Sequence, residues 1–320
     1  MKKELHTILA FNIPFAIPVP DGIYTVRIGG REAKIAIIRV QREQIVGTRL
    51  QASGTMQLSF DKYGRSAYSH VRITLPWKIN LKESGRKPLL LGDIPPRHKA
   101  KEVALRFLNR FIEVVRYITE EYWLEPVRYQ DTLSLEILYS DGTKEWPAGY
   151  VLLDTGTGGV MVSTGPAFKI PKKKLEQINK VLLYEKQMEI DRILILNAKD
   201  AVLKEDFRLA ILEAVTALEV VLYRFIRIRG GQLGIRKEKL DNFIINVGLT
   251  GNFVIVLKML TQGMETIDKE TITPCRGAIK IRNNILHKGL MSVSSTDTES
   301  RIIAIEKMIS YLKKLLEKIT

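Results

Sequence analysis

An arginine and a histidine stand five residues apart near the C-terminal end of the chain, where Arg282, Asn283 and His287 belong to the segment Arg-Asn-Asn-Ile-Leu-His. RNA is cleaved when its 2′-hydroxyl attacks the adjacent phosphorus, and histidine is well suited to move the proton near neutral pH. Arginine binds phosphate oxygens bidentately and stabilises the charge that develops on them. Asn283 is able to orient the phosphate or the histidine by hydrogen bonding. These residue types suit metal-independent RNA cleavage that leaves a 2′,3′-cyclic phosphate and a 5′-hydroxyl.

The spacing alone is weak evidence, because a second pair, Arg65 and His70, has the same spacing in a β-rich part of the chain. The surroundings of His287 are more specific. Apolar periodicity places His287 at the end of a helix, two residues before Gly289, a residue type that often terminates helices. An acidic residue, Glu219, lies inside the apolar run of an earlier helix. The C-terminal pair is therefore the candidate site, with Glu219 as candidate polar support.

This pattern resembles the HEPN superfamily (higher-eukaryote and prokaryote nucleotide-binding domains) over about residues 201–320. The family's motif is an arginine, often followed by a polar residue, and then a histidine after a short spacer; Arg282, Asn283 and His287 match it in turn. The resemblance implies a small helical bundle that is often dimeric. It also implies a metal-independent endoribonuclease without a cofactor, of a kind frequent in toxin or antiviral defence systems.

Helical geometry constrains how these residues meet. Five residues along a helix rotate by about 500°, so Arg282 and His287 point about 140° apart. Either the arginine reaches around the helix, or the helix loosens near Gly289. One chain also offers one histidine at this site, whereas the reaction needs an acid and a base. A symmetric dimer brings two sets to one cleft, so we expect a homodimer through the C-terminal bundle.

The elements that must position this site are helical, because apolar residues recur at three and four from Pro171 onward. Four or five such helices with short connections predict an antiparallel bundle. Gly230, Gly231 and Gly234 are expected to end its long apolar helix. The predicted elements are a helix over 172–186, a helix over 206–227, a region 240–260 broken near Gly248, a helix beginning at Thr273–Pro274, and a final helix opened by a capping box at Thr296–Glu299.

The first 170 residues are β-rich. Two β-branched runs, 23–28 and 33–38, flank Gly29–Gly30 and predict a hairpin with a glycine turn. A long helix is predicted over 98–122, followed by strands near 133–139 and 150–153. The fold class is therefore α+β, and three parts are predicted: a β-rich domain of unknown role over 1–170, a connecting helix over 171–200, and the HEPN-like antiparallel bundle over 201–320.

The chain of 320 residues has a formal charge of +15, with 27 % charged residues. A surplus of this size favours a polyanionic partner, most often nucleic acid, and RNA is the partner that the site predicts. A solvated helix end is the alternative interpretation of the densest basic cluster. The candidate RNA-binding residues are Arg224, Arg227, Arg229, Arg236 and Lys288.

Other features exclude several classes of protein. A single cysteine, Cys275, excludes an internal disulfide framework and a cysteine-based zinc cage. No uninterrupted apolar run reaches the ~20 residues of a membrane helix, and no secretory signal is recognisable. We expect a cytoplasmic protein with no membrane partner and no metal.

Two alternatives remain open at the sequence level. The first is a non-catalytic HEPN-type bundle that binds nucleic acid, nucleotide or protein and mediates dimerisation. A cognate antitoxin or a regulatory partner would suit either version. The second is an aspartic protease, because Asp154-Thr155-Gly156-Thr157 follows an apolar run. A plain turn between strands explains that motif as well.

Overall fold

The computed structural model describes residues 2–13, 15–41, 67–84, 87–91, 97–128, 132–151, 170–264, 267–290 and 292–319. The described chain forms an antiparallel sheet in its N-terminal half and helices alone beyond residue 171. The predicted α+β fold class is thereby confirmed. The chain divides into two compact units: unit 1 comprises residues 1–120 and 124–187, and unit 2 comprises 121–123 and 188–320.

The elements have the following bounds. The strands are β1 (Lys2–Ile13), β2 (Gly22–Ile28), β3 (Arg31–Gln41), β4 (Ala67–Ser84), β5 (Lys87–Leu91), β6 (Leu133–Ser140) and β7 (Glu145–Val151). The helices are α1 (Arg97–Thr119), α2 (Lys172–Leu183), α3 (Ile190–Leu203), α4 (Phe207–Gln232), α5 (Lys237–Gly251), a π-helical turn (Asn252–Val256), α6 (Leu257–Leu260), α7 (Lys269–Lys288) and α8 (Ser295–Ile319).

The sheet of unit 1 has the order β2-β3-β4-β1-β6-β7, with β5 paired to β4. The predicted hairpin is present, because β2 and β3 pair antiparallel up to Ile28 and Arg31. Gly29 and Gly30 both have positive φ, 57° and 73°, as a type I′ turn requires. The Glu185 carboxylate accepts hydrogen bonds from both glycine N–H groups, at 3.0 Å each. A remote side chain therefore fixes the turn.

Helix α1 covers the sheet with one apolar face. Ala104, Leu108, Phe111 and Val115 recur at three and four, and each is fully buried. The Phe111 ring lies 4.9 Å, centroid to centroid, from that of Tyr24 on β2. Burying such a face, at about 25 cal/mol per Å² of apolar surface, is what holds a helix on a sheet.

Unit 2 is built around α4, which packs against α3, α5, α7 and α8. Its side chains are buried on several sides, as its apolar circumference predicts. The helix begins where expected, because the Asp206 side chain accepts a hydrogen bond from the Leu209 N–H as an N-cap. Apolar residues from all five helices form one core.

The predicted end of α4 is confirmed at Gly234 and wrong at Gly230 and Gly231. The helix continues through Gly230 and Gly231 to Gln232, and Gly234 follows with φ 79°. Gly230 serves packing instead of termination, because a Cβ there would lie 2.6 Å from the Cδ2 of Leu240. The missing side chain lets α5 approach α4 closely.

The predicted start of α7 at Thr273–Pro274 is also wrong. The helix begins at Lys269, and the Asp268 side chain caps it by accepting from the Thr271 N–H. Pro274 lies inside the helix, in its second turn. The predicted end is confirmed, since Gly289 adopts the left-handed conformation with φ 65°.

The single connecting helix expected over 171–200 is two helices. Helix α2 belongs to unit 1 and α3 to unit 2. Glu185 has φ 49° and follows α2, so the chain leaves the helical direction there.

The aspartic-protease motif at Asp154 lies outside the described residues, as does Arg65.

The segment 237–260 is long and apolar on average, although it contains no uninterrupted apolar run of ~20 residues. By length and composition alone it is the one helical stretch in the described chain able to span a membrane, and a third of its most apolar window is buried in unit 2. Its course is interrupted at Gly248, whose φ of 67° and ψ of 171° are not helical. The predicted break is therefore confirmed.

Candidate functional site

Arg282 lies where α7 crosses α4. Its Nη2 is 3.5 Å from the Oε2 of Glu219 on α4, and its Nη1 donates to the Oδ1 of Asn283 at 3.2 Å. The side chains of Arg282 and Glu219 are each 23 % exposed, so the pair is largely shielded from water but remains accessible. The structure thus brings together three residues that the sequence analysis selected.

Asn283 connects this pair to the segment after Gly248. Its Nδ2 lies 3.4 Å from the hydroxyl oxygen of Thr250, a long hydrogen bond. Thr250 reaches α7 because the chain turns at Gly248 with dihedral angles that are essentially restricted to glycine. The break therefore carries a polar side chain to the site.

His287 is exposed in the last turn of α7, directly before the C-terminal cap. The helix runs regularly to Lys288, so it does not loosen before Gly289. Asn283 precedes His287 by four residues and shares its helix face. The guanidinium of Arg282 turns toward that face by binding Asn283. The contacts of Arg282 are with Asn283 and Glu219, so the structure gathers these three residues, and His287 lies apart from them, one turn further along α7.

The candidate RNA-binding arginines have other environments. Arg227 pairs with Asp241 at 2.6 Å, and Arg229 donates to Gln232 at 3.1 Å. The Arg227 pair joins α4 to α5, whereas the Arg229 contact lies within α4. They are not part of the Arg282 cluster.

The remaining candidate basic residues are exposed. Arg224 lines a cavity of about 230 Å³ that also contains Glu189, Asp191 and Lys313, so carboxylates surround it. Arg236 is the residue before α5, and Lys288 follows His287 directly. Of the five basic candidates, Lys288 is the one next to the candidate site.

Sequence reasoning missed three polar residues at the site: Thr250, Tyr223 and Asn252. Tyr223 stands four residues after Glu219 on α4, and burial first, and then the Glu219 carboxylate, raise the pKa of its phenol to about 12. Asn252 is fully buried, and its Nδ2 donates to the carbonyl of Ile244 at 2.8 Å. The sequence signal that could have identified Asn252 is its place inside an apolar stretch, directly after Gly251.

The described residues contain no group of three or more His, Cys, Asp or Glu that could hold a metal ion. What the site offers is a shielded arginine with unused N–H donors and an exposed histidine on the same helix. A guanidinium has five N–H donors, and two of them face Glu219 and Asn283 here. The others are able to bind a phosphate.

The fold and this site define an α+β protein whose helical unit bears an arginine–asparagine–glutamate cluster, with an exposed histidine further along the same helix. No protein-family model, no curated protein and no solved structure matches the chain.

Proposed function

We propose that this protein is a metal-independent endoribonuclease of HEPN type, acting in a cytoplasmic toxin or antiviral defence system. The observation that carries the proposal is the placement of Arg282. It is largely shielded between Glu219 and Asn283, and His287 is exposed on the helix face that Asn283 shares.

Each side chain has a role in the proposed reaction. His287 moves the proton of the attacking 2′-hydroxyl or of the leaving 5′-oxygen. Arg282 binds the scissile phosphate and stabilises the negative charge that grows on it, since fixed donors do this best where water is partly excluded. Asn283 orients the guanidinium, and Glu219 holds it from the other side. Lys288 adds positive charge for the RNA backbone.

The proposed active form is a homodimer through unit 2. One His287 per chain cannot be both acid and base in a single step, and a two-fold axis supplies the second. Large apolar side chains are exposed on or beside the segment 237–260, which suits burial against a second copy. These side chains are Phe243, Ile245, Ile255, Met259 and, on α7, Leu286.

The test of the nuclease is cleavage of a mixed RNA pool in EDTA. We expect the wild type to leave cyclic-phosphate ends and His287→Ala to lose at least a hundredfold in rate. His70→Ala is the matched control, because it removes the histidine of the other arginine–histidine pair, and it should keep the wild-type rate. Equal losses in both variants would contradict the assignment.

The test of the dimer compares two exposed isoleucines. Ile245 is 75 % exposed in unit 2 and Ile23 is 71 % exposed in unit 1. We expect Ile245→Glu to yield monomers in light scattering and to reduce cleavage, whereas Ile23→Glu leaves the wild-type mass. A wild-type monomer at micromolar concentration would contradict the dimer.

The second candidate function is a non-catalytic bundle that binds nucleic acid, nucleotide or a protein partner, such as a cognate antitoxin. The exposed apolar side chains of 237–260 favour it, because they suit a protein interface whether or not the site cleaves RNA. A folded wild-type dimer that cleaves no RNA, with binding unchanged by His287→Ala, would support this second function.

A further inference from the structure

A cavity of about 600 Å³ lies in unit 2, and none of the residues of the Arg282 cluster lines it. Its walls come from the C-terminal end of α3, the turn into α4 and the N-terminal half of α8. Binding sites for small organic molecules have volumes of about 300–1,000 Å³. The cavity is therefore large enough for such a molecule.

The walls of this cavity are largely apolar. Ile302 belongs to the buried core, and Val202 and Phe207 are half-buried beside it. Leu203 on α3 and Ile303 on α8 also line the cavity, and they are 43 % and 54 % exposed. Two different helices thus leave apolar surface in contact with water, and a ligand with an apolar body would cover that surface favourably.

The charged side chains that line the cavity are three glutamates and one lysine, so its formal charge is −2 in a chain of +15. The Nζ of Lys199 is 2.7 Å from the Oε1 of Glu306, and this pair leaves Glu205 and Glu299 as the surplus of negative charge. A lining of this sign attracts cations and repels polyanions. The cavity therefore suits an organic cation and not RNA.

Glu205 occupies a backbone position that costs stability. Helix α3 ends in a Schellman motif, because the Asp206 N–H donates to the Ala201 carbonyl and the Glu205 N–H donates to the Val202 carbonyl, at 2.9 Å each. The φ of Glu205 is 61°, in the left-handed region where glycine is usual because a Cβ is disfavoured there. Strain of this kind is concentrated at functional sites, and here it accompanies a carboxylate at the cavity.

We propose that this cavity is a binding site for a small organic cation with an apolar body, which Glu205 and Glu299 recognise by charge. The apolar body lies against Leu203, Phe207 and Ile303, and the cationic group lies beside the two carboxylates. The site goes beyond the proposed RNA cleavage and does not depend on it, because it shares no residue with the Arg282 cluster.

The experiment compares two fluorescent probes that differ only in the charge at one end. Dansylcadaverine ends in an amine, and dansyl-ε-aminocaproic acid ends in a carboxylate on an arm of the same length. We expect the wild type to bind the amine about tenfold more tightly than the acid in fluorescence titrations. Glu299→Lys should abolish this preference. Glu317→Lys makes the same change of charge at an exposed position of α8 outside the cavity, and it should keep the preference.

Glu205→Gly provides a second measurement with two opposite expected effects. Its urea midpoint should rise because the left-handed strain is relieved, whereas the amine should bind about threefold more weakly because one carboxylate is lost. A raised midpoint with unchanged binding would overturn the role of Glu205.

Three outcomes of the titrations would overturn the proposed site. The first is equal affinity of the wild type for the two probes, and the second is no binding of either probe. The third is an equal effect of Glu299→Lys and Glu317→Lys, since the amine would then bind elsewhere on the protein. Both glutamates are exposed, so we expect both lysine variants to fold.

Discussion

The chain has two histidines that each follow an arginine at five residues, and their surroundings differ. His70 lies inside the sheet of unit 1, on β4, and its Nδ1 hydrogen-bonds the Oδ1 of Asn12 on β1 at 2.9 Å. His287 lies at the exposed end of a helix, and the asparagine of its motif binds an arginine instead. One histidine is tied into a sheet, and the other has its ring open to solvent.

The two histidines are carried by different elements: His70 lies on β4, whose described residues begin at Ala67, after Arg65, whereas α7 carries both Arg282 and His287. In an extended strand, residues five apart point to opposite faces and lie about 16 Å from each other. On a helix, the same five residues rise by only ~7.5 Å, and a long side chain such as arginine can cross the remaining angle. A short motif of arginine and histidine therefore acquires chemical meaning only when the element is known.

The largest expected effect distinguishes the two arginines. Lysine keeps the charge of Arg282 but loses the planar fork, so it cannot contact Asn283, Glu219 and a phosphate together. We expect Arg282→Lys to lower the RNA cleavage rate about a hundredfold or more. Arg65→Lys, the same change in the other pair, should stay within twofold of the wild type. Single-turnover cleavage rates measure both variants. Equal rates would contradict the prediction that Arg282 acts in cleavage and Arg65 does not.

A second prediction concerns the backbone that supports only one of the two sites. Alanine at Gly248 would have φ near 67° and ψ near 171°, a region that side chains disfavour by ~1–3 kcal/mol. A Cβ there meets nothing within 4 Å, so the cost is purely conformational. We expect Gly248→Ala to lower the free energy of unfolding by about 2 kcal/mol and to reduce RNA cleavage.

Gly231 provides the control with the opposite sign. It lies in the last turn of α4, and a Cβ there also has open space. Alanine should stabilise the helix by up to ~1 kcal/mol and leave cleavage unchanged. Urea denaturation measures both variants. If they are equally stable, the backbone conformation at Gly248 does not require glycine, and the expected cost of alanine there is wrong.

The sequence predicted the fold class, the hairpin at Gly29–Gly30 and the C-terminal end of α7 at Gly289 because local chemistry decides these features. It failed at Gly230 and Pro274, where tertiary packing or a stronger cap prevails over a helix-breaking residue. For the site, the spacing and context of Arg282 and His287 were visible in the sequence. Thr250 was not, because its contact with Asn283 depends on the turn of the chain at Gly248.

A smaller effect separates the two asparagines. Asn12 bonds a half-buried histidine inside the sheet, so Asn12→Ala should lower the free energy of unfolding by about 1–2 kcal/mol and leave RNA cleavage unchanged. Asn283 bonds at the rim of the site, so Asn283→Ala should have a smaller effect on stability and reduce cleavage about tenfold. Thermal unfolding measures the effect of each variant on stability, and cleavage assays measure its effect on activity. Loss of cleavage in Asn12→Ala would link His70 to the activity.

The smallest expected effect is a pH dependence specific to His70. Burial, and then the Arg72 guanidinium, lower the pKa of His70, against an opposing effect of Glu136. Just below pH 6.5, His70 therefore binds a proton in the unfolded chain while it stays neutral in the folded sheet. The free energy of unfolding falls as the pH falls, because the unfolded state binds more protons. His70→Gln keeps a polar group for Asn12 but removes this proton, so its urea midpoint should decline less than that of the wild type between pH 7 and pH 5.5. If the urea midpoints of the two proteins decline equally with pH, His70 protonates as easily in the folded chain as in the unfolded one. Its assignment as the structural histidine of the two would then have no physical basis.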